Sequence, residues 1–111
     1  MENRDLYPKI NSELYDKRKA LSPDIMETWN NFSNMVFKEG ALSEKTKQLI
    51  AVAVAHVTQC PYCIRSHTKI AMRKGATPEE IMEAIWVASE MRAGGAYAHA
   101  AIAIDEMDKR Q

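Results

Sequence analysis

Residues 49–57 read Leu-Ile-Ala-Val-Ala-Val-Ala-His-Val, and two residues later the chain continues as Cys-Pro-Tyr-Cys-Ile-Arg-Ser-His over residues 60–67. The first stretch follows a helix-start signal at Ser43-Glu44 and is apolar on nearly every side, apart from His56. A helix that is apolar all round has to be buried on all sides. In a chain of 111 residues, this predicts a helix that is buried against other subunits as well as against its own chain.

Start and stop signals predict further helices on both sides of this stretch. Ser22-Pro23-Asp24 and Thr77-Pro78-Glu79-Glu80 each place a capping residue before a first-turn proline and an acidic residue. Glycines at 40 and 75, and the pair Gly94-Gly95, are predicted to end helices. We therefore predict a single all-α domain, residues 1–111, of about six helices. These run from Tyr7 to Lys19, Pro23 to Gly40, Glu44 to Val57, Pro61 to Lys74, Pro78 to the Gly94-Gly95 break, and Ala96 to about Asp108.

Apolar residues at helical spacing predict which helix faces are covered. The second helix carries a stripe that forms core or subunit contacts: Ile25, Trp29, Phe32 and Val36. The last two predicted helices carry residues expected to point inward: Ile81, Ala84, Ile85 and Ala88, and then Ala100, Ala103 and Ile104. The charged first helix is expected to have a solvated outer face.

Composition excludes several classes of function. Lys plus Arg and Asp plus Glu both total 15, so the net charge is zero, and we expect no binding to nucleic acid. The strongly apolar run 49–55 is too short to span a bilayer, and no apolar signal segment follows Met1, so we expect a cytoplasmic protein that does not contact a membrane. In the cytoplasm a C-x-x-C pair is more often catalytic or metal-binding than a structural disulfide.

The segment 60–67 has the composition of a redox-active dithiol with its own base. Pro61 suits the first position of a helix, which puts Cys60 at the N-cap and Cys63 in the first turn. The unpaired amides and the dipole at a helix N-terminus lower the pKa of a thiol. His67 lies four residues after Cys63 and therefore shares its helix face. We favour Cys63 as the attacking thiolate and Cys60 as the resolving thiol, although an N-cap cysteine is activated too.

Other interpretations of these residues remain open. Cys60, Cys63 and His67 could hold zinc with His56 or His99 as a fourth ligand, although structural zinc usually takes two ligand pairs. Alternatively, the two cysteines are inert core residues. His56 either extends the proton network as a relay or is a core histidine bonded to a backbone carbonyl, and His99 is favoured as a packing residue. Covalent haem is excluded, because histidine does not directly follow the second cysteine.

The chain resembles the carboxymuconolactone decarboxylase family, and more narrowly its alkylhydroperoxidase, AhpD-like branch. The resemblance is carried by residues 44–55, by Cys60-Pro61-Tyr62-Cys63 with Ser66-His67, and by residues 75–81, and it covers residues 43–100. The C-x-x-C-x-x-x-H element is specific to this branch. The decarboxylases proper lack the cysteine pair, so the resemblance speaks against lactone decarboxylation.

The resemblance implies an all-α fold that assembles as a homotrimer or homohexamer. It also implies peroxide reduction by Cys60 and Cys63 with His67 as the relay, followed by re-reduction from a thiol or lipoyl-type donor. No cofactor beyond the redox-active disulfide and no metal is expected. The family pattern has a glutamate in the relay at the position of Gln48, and an amide cannot take a proton near neutral pH. Either His56 takes over that duty, or the peroxidase activity is weak, or the true substrate differs.

The leading hypothesis is therefore an AhpD-like oxidoreductase that reduces hydroperoxides, with Gln48 and His56 as candidate relay residues. The alternative is a redox-responsive or zinc-binding helical assembly protein without turnover. General disulfide exchange, with turnover of a disulfide substrate but not of peroxide, is a third hypothesis.

Overall fold

The computed structural model describes residues 6–109, which form α-helices and no strand. The helices are α1 (Ser12–Leu21), α2 (Pro23–Phe37), α3 (Glu44–Thr58), α4 (Pro61–Arg73) and α5 (Pro78–Asp108). The predicted all-α fold class is thus confirmed. Within residues 6–109, no helix is both long and apolar enough to cross a lipid bilayer. The chain divides after Lys38 into two compact units, and its assignment as one domain stays a prediction.

The first unit is a pair of helices, α1 and α2, that pack against each other. Asn11 caps α1 by accepting a hydrogen bond from the Leu14 amide at 2.9 Å. Asn30 of α2 donates a hydrogen bond to the Tyr15 hydroxyl of α1 at 3.1 Å. α1 has no buried residue, as its charge predicts, and Met26 is the buried residue of α2.

The second unit places α3 against both α4 and α5. Its core is a small cluster contributed by all three helices and the α4–α5 turn: Val52, Ala71, Ala76 and Ile81, with Leu49 and Ile85 packed against it. Val52 is fully buried. Val52 and Ala55 thus place one side of α3 in the core, whereas Ile50, Val54 and Val57 are exposed in the chain, so burial of α3 on all sides stays a prediction. The segment 60–67 follows directly at the end of α3.

The predicted helix signals at the two ends of the α4–α5 turn are confirmed. Gly75 has φ +95°, and its amide and that of Ala76 bond back to the carbonyls of Met72 and Ala71, which is a Schellman C-cap. Thr77 and Glu80 form the capping box that opens α5. The turn thus fixes where α4 ends and α5 begins.

The predicted break at Gly94-Gly95 is wrong, because α5 is one helix of 31 residues. Two glycines cost a helix about 2 kcal/mol relative to alanine, but they do not force φ positive or remove a hydrogen bond. Alanines, which have the highest helix propensity, flank the pair, and the helix continues through it. The number of helices in residues 6–109 is accordingly five, where the sequence predicted about six.

Two predicted helix boundaries and one predicted face also differ. α1 begins at Ser12, where Asn11 supplies the cap, and not at Tyr7, and α2 ends at Phe37 before Gly40. The residues of α5 that were predicted to point inward near its C-terminal end, Ala100, Ala103 and Ile104, are exposed in the chain. Within the first unit, the α2 stripe of Ile25, Trp29, Phe32 and Val36 is exposed as well, and its role as core or subunit contact stays a prediction.

Candidate functional site

The start of α4 carries the cysteine pair. Cys60 is the N-cap with an extended backbone, and Pro61 occupies the first helical position, both as predicted. The Cys60 sulfur accepts a hydrogen bond from the Cys63 amide at 3.2 Å. A sulfur that receives an amide donor at a helix N-terminus is stabilised as a thiolate after reduction.

The two cysteines form a disulfide across three residues. Their Cα atoms lie 5.2 Å apart, inside the range from which a disulfide closes without backbone movement. The backbone at the start of α4 therefore holds the two sulfurs within bonding range.

The turn before α4 contains a residue whose role the sequence did not predict. Gln59 ends α3 in the left-handed region, with φ 56° and ψ 52°. The Cys60 amide then bonds back to the Ala55 carbonyl at 3.1 Å, which closes the end of α3. Gly or Asn is the usual signal for this conformation, and neither is present. The turn sets the direction in which α4 leaves α3 and so places the cysteine pair.

His67 lies one turn after Cys63 on α4, and its ring is joined to α3. Its Nδ1 lies 2.7 Å from the side-chain oxygen of Gln48. Gln48 is 4% exposed, and it is the one buried polar side chain among residues 6–109. The contact spans 19 positions in sequence, so only the packing of α3 on α4 brings these residues together.

Burial lowers the pKa of His67 below its ordinary value, because an imidazolium loses hydration in a partly buried position. Gln48 carries no charge that could oppose this effect. The imidazole is consequently held in its neutral form near pH 7, which is the form that can accept a proton from a thiol.

The remaining histidines bond to backbone carbonyls of their own helices. His56 Nδ1 lies 2.7 Å from the Val52 oxygen, which is the backbone contact that the sequence left open as one alternative. His99 Nδ1 lies 2.7 Å from the Gly95 oxygen on the exposed part of α5. Within the described part of the chain, no three His, Cys, Asp or Glu side chains are grouped to hold a metal ion. A relay role for His56 stays a prediction.

A second contact that sequence analysis missed anchors the end of α3. The Arg92 guanidinium of α5 donates a hydrogen bond to the Val57 carbonyl in the last turn of α3. Because the last carbonyls of a helix lack partners within the helix, this donor stabilises that end. Arg92 thus supports the turn that leads to Cys60. Because Arg92 and Val57 are 35 positions apart in sequence, no local sequence pattern predicts their contact.

A family model and two related proteins match most of the chain. The model of the carboxymuconolactone decarboxylase family matches residues 23–106. A protein of Paracoccus denitrificans, named uncharacterized protein 4 in cox locus, is 56% identical over 102 residues, which cover 92% of this chain and 91% of that protein. An uncharacterized protein of Cupriavidus necator is 31% identical over 86 residues, covering 78% of this chain and 76% of that protein.

Solved structures are similar over most of the chain. A crystal structure of a protein from Methanobacterium thermoautotrophicum has a TM-score of 0.71 at 37% identity, covering 75% of this chain and 93% of that one. The apo form of a carboxymuconolactone decarboxylase family protein from Legionella pneumophila has a TM-score of 0.70 at 34% identity, covering 88% and 90%. A family protein of Thermotoga maritima, suggested to be involved in the antioxidative response, has a TM-score of 0.54 at 26% identity, covering 73% and 93%.

Proposed function

The chain belongs to the carboxymuconolactone decarboxylase family, and we propose from this that it is a thiol-dependent peroxidase of the AhpD-like branch. The observation that carries the proposal is the Cys60–Cys63 disulfide at the start of α4, with His67 one turn further along the same helix. The Thermotoga maritima relative, suggested to act in the antioxidative response, supports the same class of chemistry.

In the proposed reaction Cys63 attacks the hydroperoxide. His67 takes the Cys63 thiol proton, and the thiolate then attacks the distal peroxide oxygen, which breaks the O–O bond. The alkoxide leaves and takes the proton back from His67, so that the products are an alcohol and a sulfenic acid on Cys63. The Cys60 sulfur displaces the sulfenic oxygen, and the Cys60 proton leaves with it as water, which closes the disulfide.

A dithiol of the lipoyl type regenerates the pair by two successive exchanges. One donor thiolate opens the disulfide, its second thiol releases the protein, and the donor becomes the oxidised partner while both cysteines regain their protons. We place the reaction in the cytoplasm, where such donors are kept reduced. No metal and no further cofactor takes part in this scheme.

The test is peroxide consumption with dithiothreitol and with a dihydrolipoyl donor, measured for the wild type and for the same substitution at each cysteine. Cys63→Ser is expected to lose turnover, by a hundredfold or more, because no thiolate is left to attack. Without a thiol donor, Cys60→Ser is expected to consume one equivalent of peroxide and stop as a sulfenic acid on Cys63, which dimedone traps for mass spectrometry.

Cys60→Ser is also the control for Cys63→Ser, since both variants lose the disulfide and differ only in the attacking sulfur. If Cys63→Ser consumes peroxide as fast as the wild type, the proposal is wrong. If the wild type forms its disulfide once but neither donor sustains turnover, the redox-responsive alternative is favoured. Turnover with a disulfide substrate but not with peroxide favours general disulfide exchange.

A further inference from the structure

Gln48 has a buried side-chain amide that takes no direct part in the proposed reaction. It lies on α3 with 4% of its surface exposed, and its side-chain oxygen is 2.7 Å from Nδ1 of His67. A buried amide without a hydrogen-bond partner destabilises a fold. The contact with His67 gives the side-chain oxygen of Gln48 a partner inside the protein. The contact joins the core of the second unit directly to the proposed catalytic histidine.

The chemistry of this contact determines which ring nitrogen carries the proton. The amide oxygen of Gln48 accepts hydrogen bonds and cannot donate one. Nδ1 of His67 must therefore carry the hydrogen that makes the 2.7 Å bond. A neutral imidazole has one N–H, so Nε2 is then the nitrogen with the lone pair.

We propose that Gln48 is a positioning residue that selects the Nδ1–H tautomer of His67 and thereby makes Nε2 the base for the cysteine pair. The inference deepens the proposed peroxidase function and rests on it for its kinetic consequence. Its structural part, the tautomer, can be observed whether or not the protein turns over peroxide.

The neutral amide also limits the path of the proton. A carboxylate at this position could take the proton onward from the ring, whereas an amide ends the path at His67. The imidazole then holds the single proton that leaves the Cys63 thiol and returns it to the departing alkoxide. The S–H bond of the thiol and the O–O bond of the peroxide break, and the S–O bond of the sulfenic acid and the O–H bond of the alcohol form. This one base balances the step, so a second acceptor is not required.

The chain carries its own controls for a test of the tautomer. It has three histidines, and in each of them Nδ1 lies 2.7 Å from an acceptor oxygen. For His56 and His99 that acceptor is a backbone carbonyl, which a side-chain substitution at position 48 does not remove. Only the acceptor of His67 is a side chain.

The experiment is a two-dimensional ¹H–¹⁵N correlation spectrum of the ring nitrogens near pH 7.5, recorded on the oxidised protein without a histidine tag. The wild type is expected to show His67 with Nδ1 protonated and Nε2 unprotonated. Gln48→Met, which keeps the length and removes the acceptor, is expected to shift His67 towards the Nε2–H tautomer that a solvated imidazole prefers. The signals of His56 and His99 are expected to stay in place.

Peroxide turnover supplies the second readout. Gln48→Met is expected to slow consumption about tenfold, the equivalent of one hydrogen bond, while mild peroxide still closes the disulfide. Gln48→Glu keeps an acceptor oxygen and is expected to retain the Nδ1–H tautomer, which covers the case in which Gln48→Met fails to fold.

An Nε2–H tautomer of His67 in the wild type overturns the inference, and so does an unchanged His67 spectrum in Gln48→Met. A wild type that has the expected tautomer but no turnover with either donor contradicts the proposed function and leaves the tautomer assignment standing. An altered tautomer with unchanged turnover overturns the positioning role.

Discussion

At the scale of single residues, two features position His67: it lies one turn after Cys63 on α4, and its Nδ1 lies 2.7 Å from the side-chain oxygen of Gln48 on α3. The C-x-x-C-x-x-x-H pattern predicts that Cys60 caps α4 and that His67 follows Cys63 by one turn, because both relations depend only on helix geometry. The contact between Gln48 and His67 depends on how α3 packs against α4. The sequence pointed to Gln48 only through the glutamate that the family resemblance places there.

Replacing Gln48 by glutamate is predicted to reverse the pH dependence that His67 contributes to stability. In the wild type burial lowers the pKa of His67, so its contribution is full above the unfolded value of about 6.5 and is lost as the pH falls through the folded pKa. In Gln48→Glu the carboxylate raises the pKa of His67. The contribution is then full below about pH 6.5 and is lost as the pH rises through the raised value.

The measurement is urea unfolding of the oxidised protein at several pH values between 5 and 8. Relative to wild type, Gln48→Glu is expected to become more stable as the pH falls from 8 to 5.5, where its own carboxylate is still ionised. Gln48→Met serves as the uncharged control and is expected to keep the wild-type sign. The same sign of slope in Gln48→Glu and wild type would contradict the assignment of His67 as the group that titrates.

At the scale of elements, the caps of α3, α4 and α5 were predictable, whereas the Asn11 cap of α1 and the length of the last helix were not. Ser22 precedes α2 as predicted, but its side chain makes no cap hydrogen bond. Ser43, Cys60 and Thr77 are all N-caps that accept an amide hydrogen bond, as their sequence context indicates. The pair Gly94-Gly95 has the composition of a helix end, but a glycine ends a helix only where positive φ or a new hydrogen bond favours the stop. Gly75 meets both conditions, with φ +95° and the Schellman bonds.

The difference between these two glycine sites gives a prediction about stability. Gly95→Ala is expected to raise the free energy of unfolding by about 0.5–1 kcal/mol, because position 95 is helical and an added Cβ meets nothing within 4 Å. Gly75→Ala is the matched control and is expected to lower it by about 1–2 kcal/mol, because its φ of +95° is strained for alanine. Thermal unfolding at one fixed protein concentration measures both. A destabilised Gly95→Ala would show that a close contact, absent from the single chain, requires this glycine.

At the scale of the whole molecule, one chain leaves many apolar side chains uncovered. In the second unit, α5 has 31 residues and α3 has 15, so α3 cannot cover every turn of α5. Tyr97 is 85% exposed and Ile102 is 65% exposed on the uncovered part. The sequence predicted this region to point inward because its pattern is apolar, and an apolar pattern does not distinguish burial in the same chain from burial in another subunit.

The assembly that the sequence predicts, a homotrimer or homohexamer, would cover such residues, since exposed apolar surface of this extent marks interaction sites. Sedimentation velocity is expected to give a mass of three or six times 12.6 kDa for the wild type. Ile102→Glu is expected to shift the protein to smaller species, because it would bury an unpaired charge in the contact. Glu83→Gln, an exposed polar change about five turns away on the same helix, is expected to leave the mass unchanged. A monomeric wild type at micromolar concentration would contradict the prediction, and an Ile102→Glu protein that keeps the wild-type mass would place the contact elsewhere.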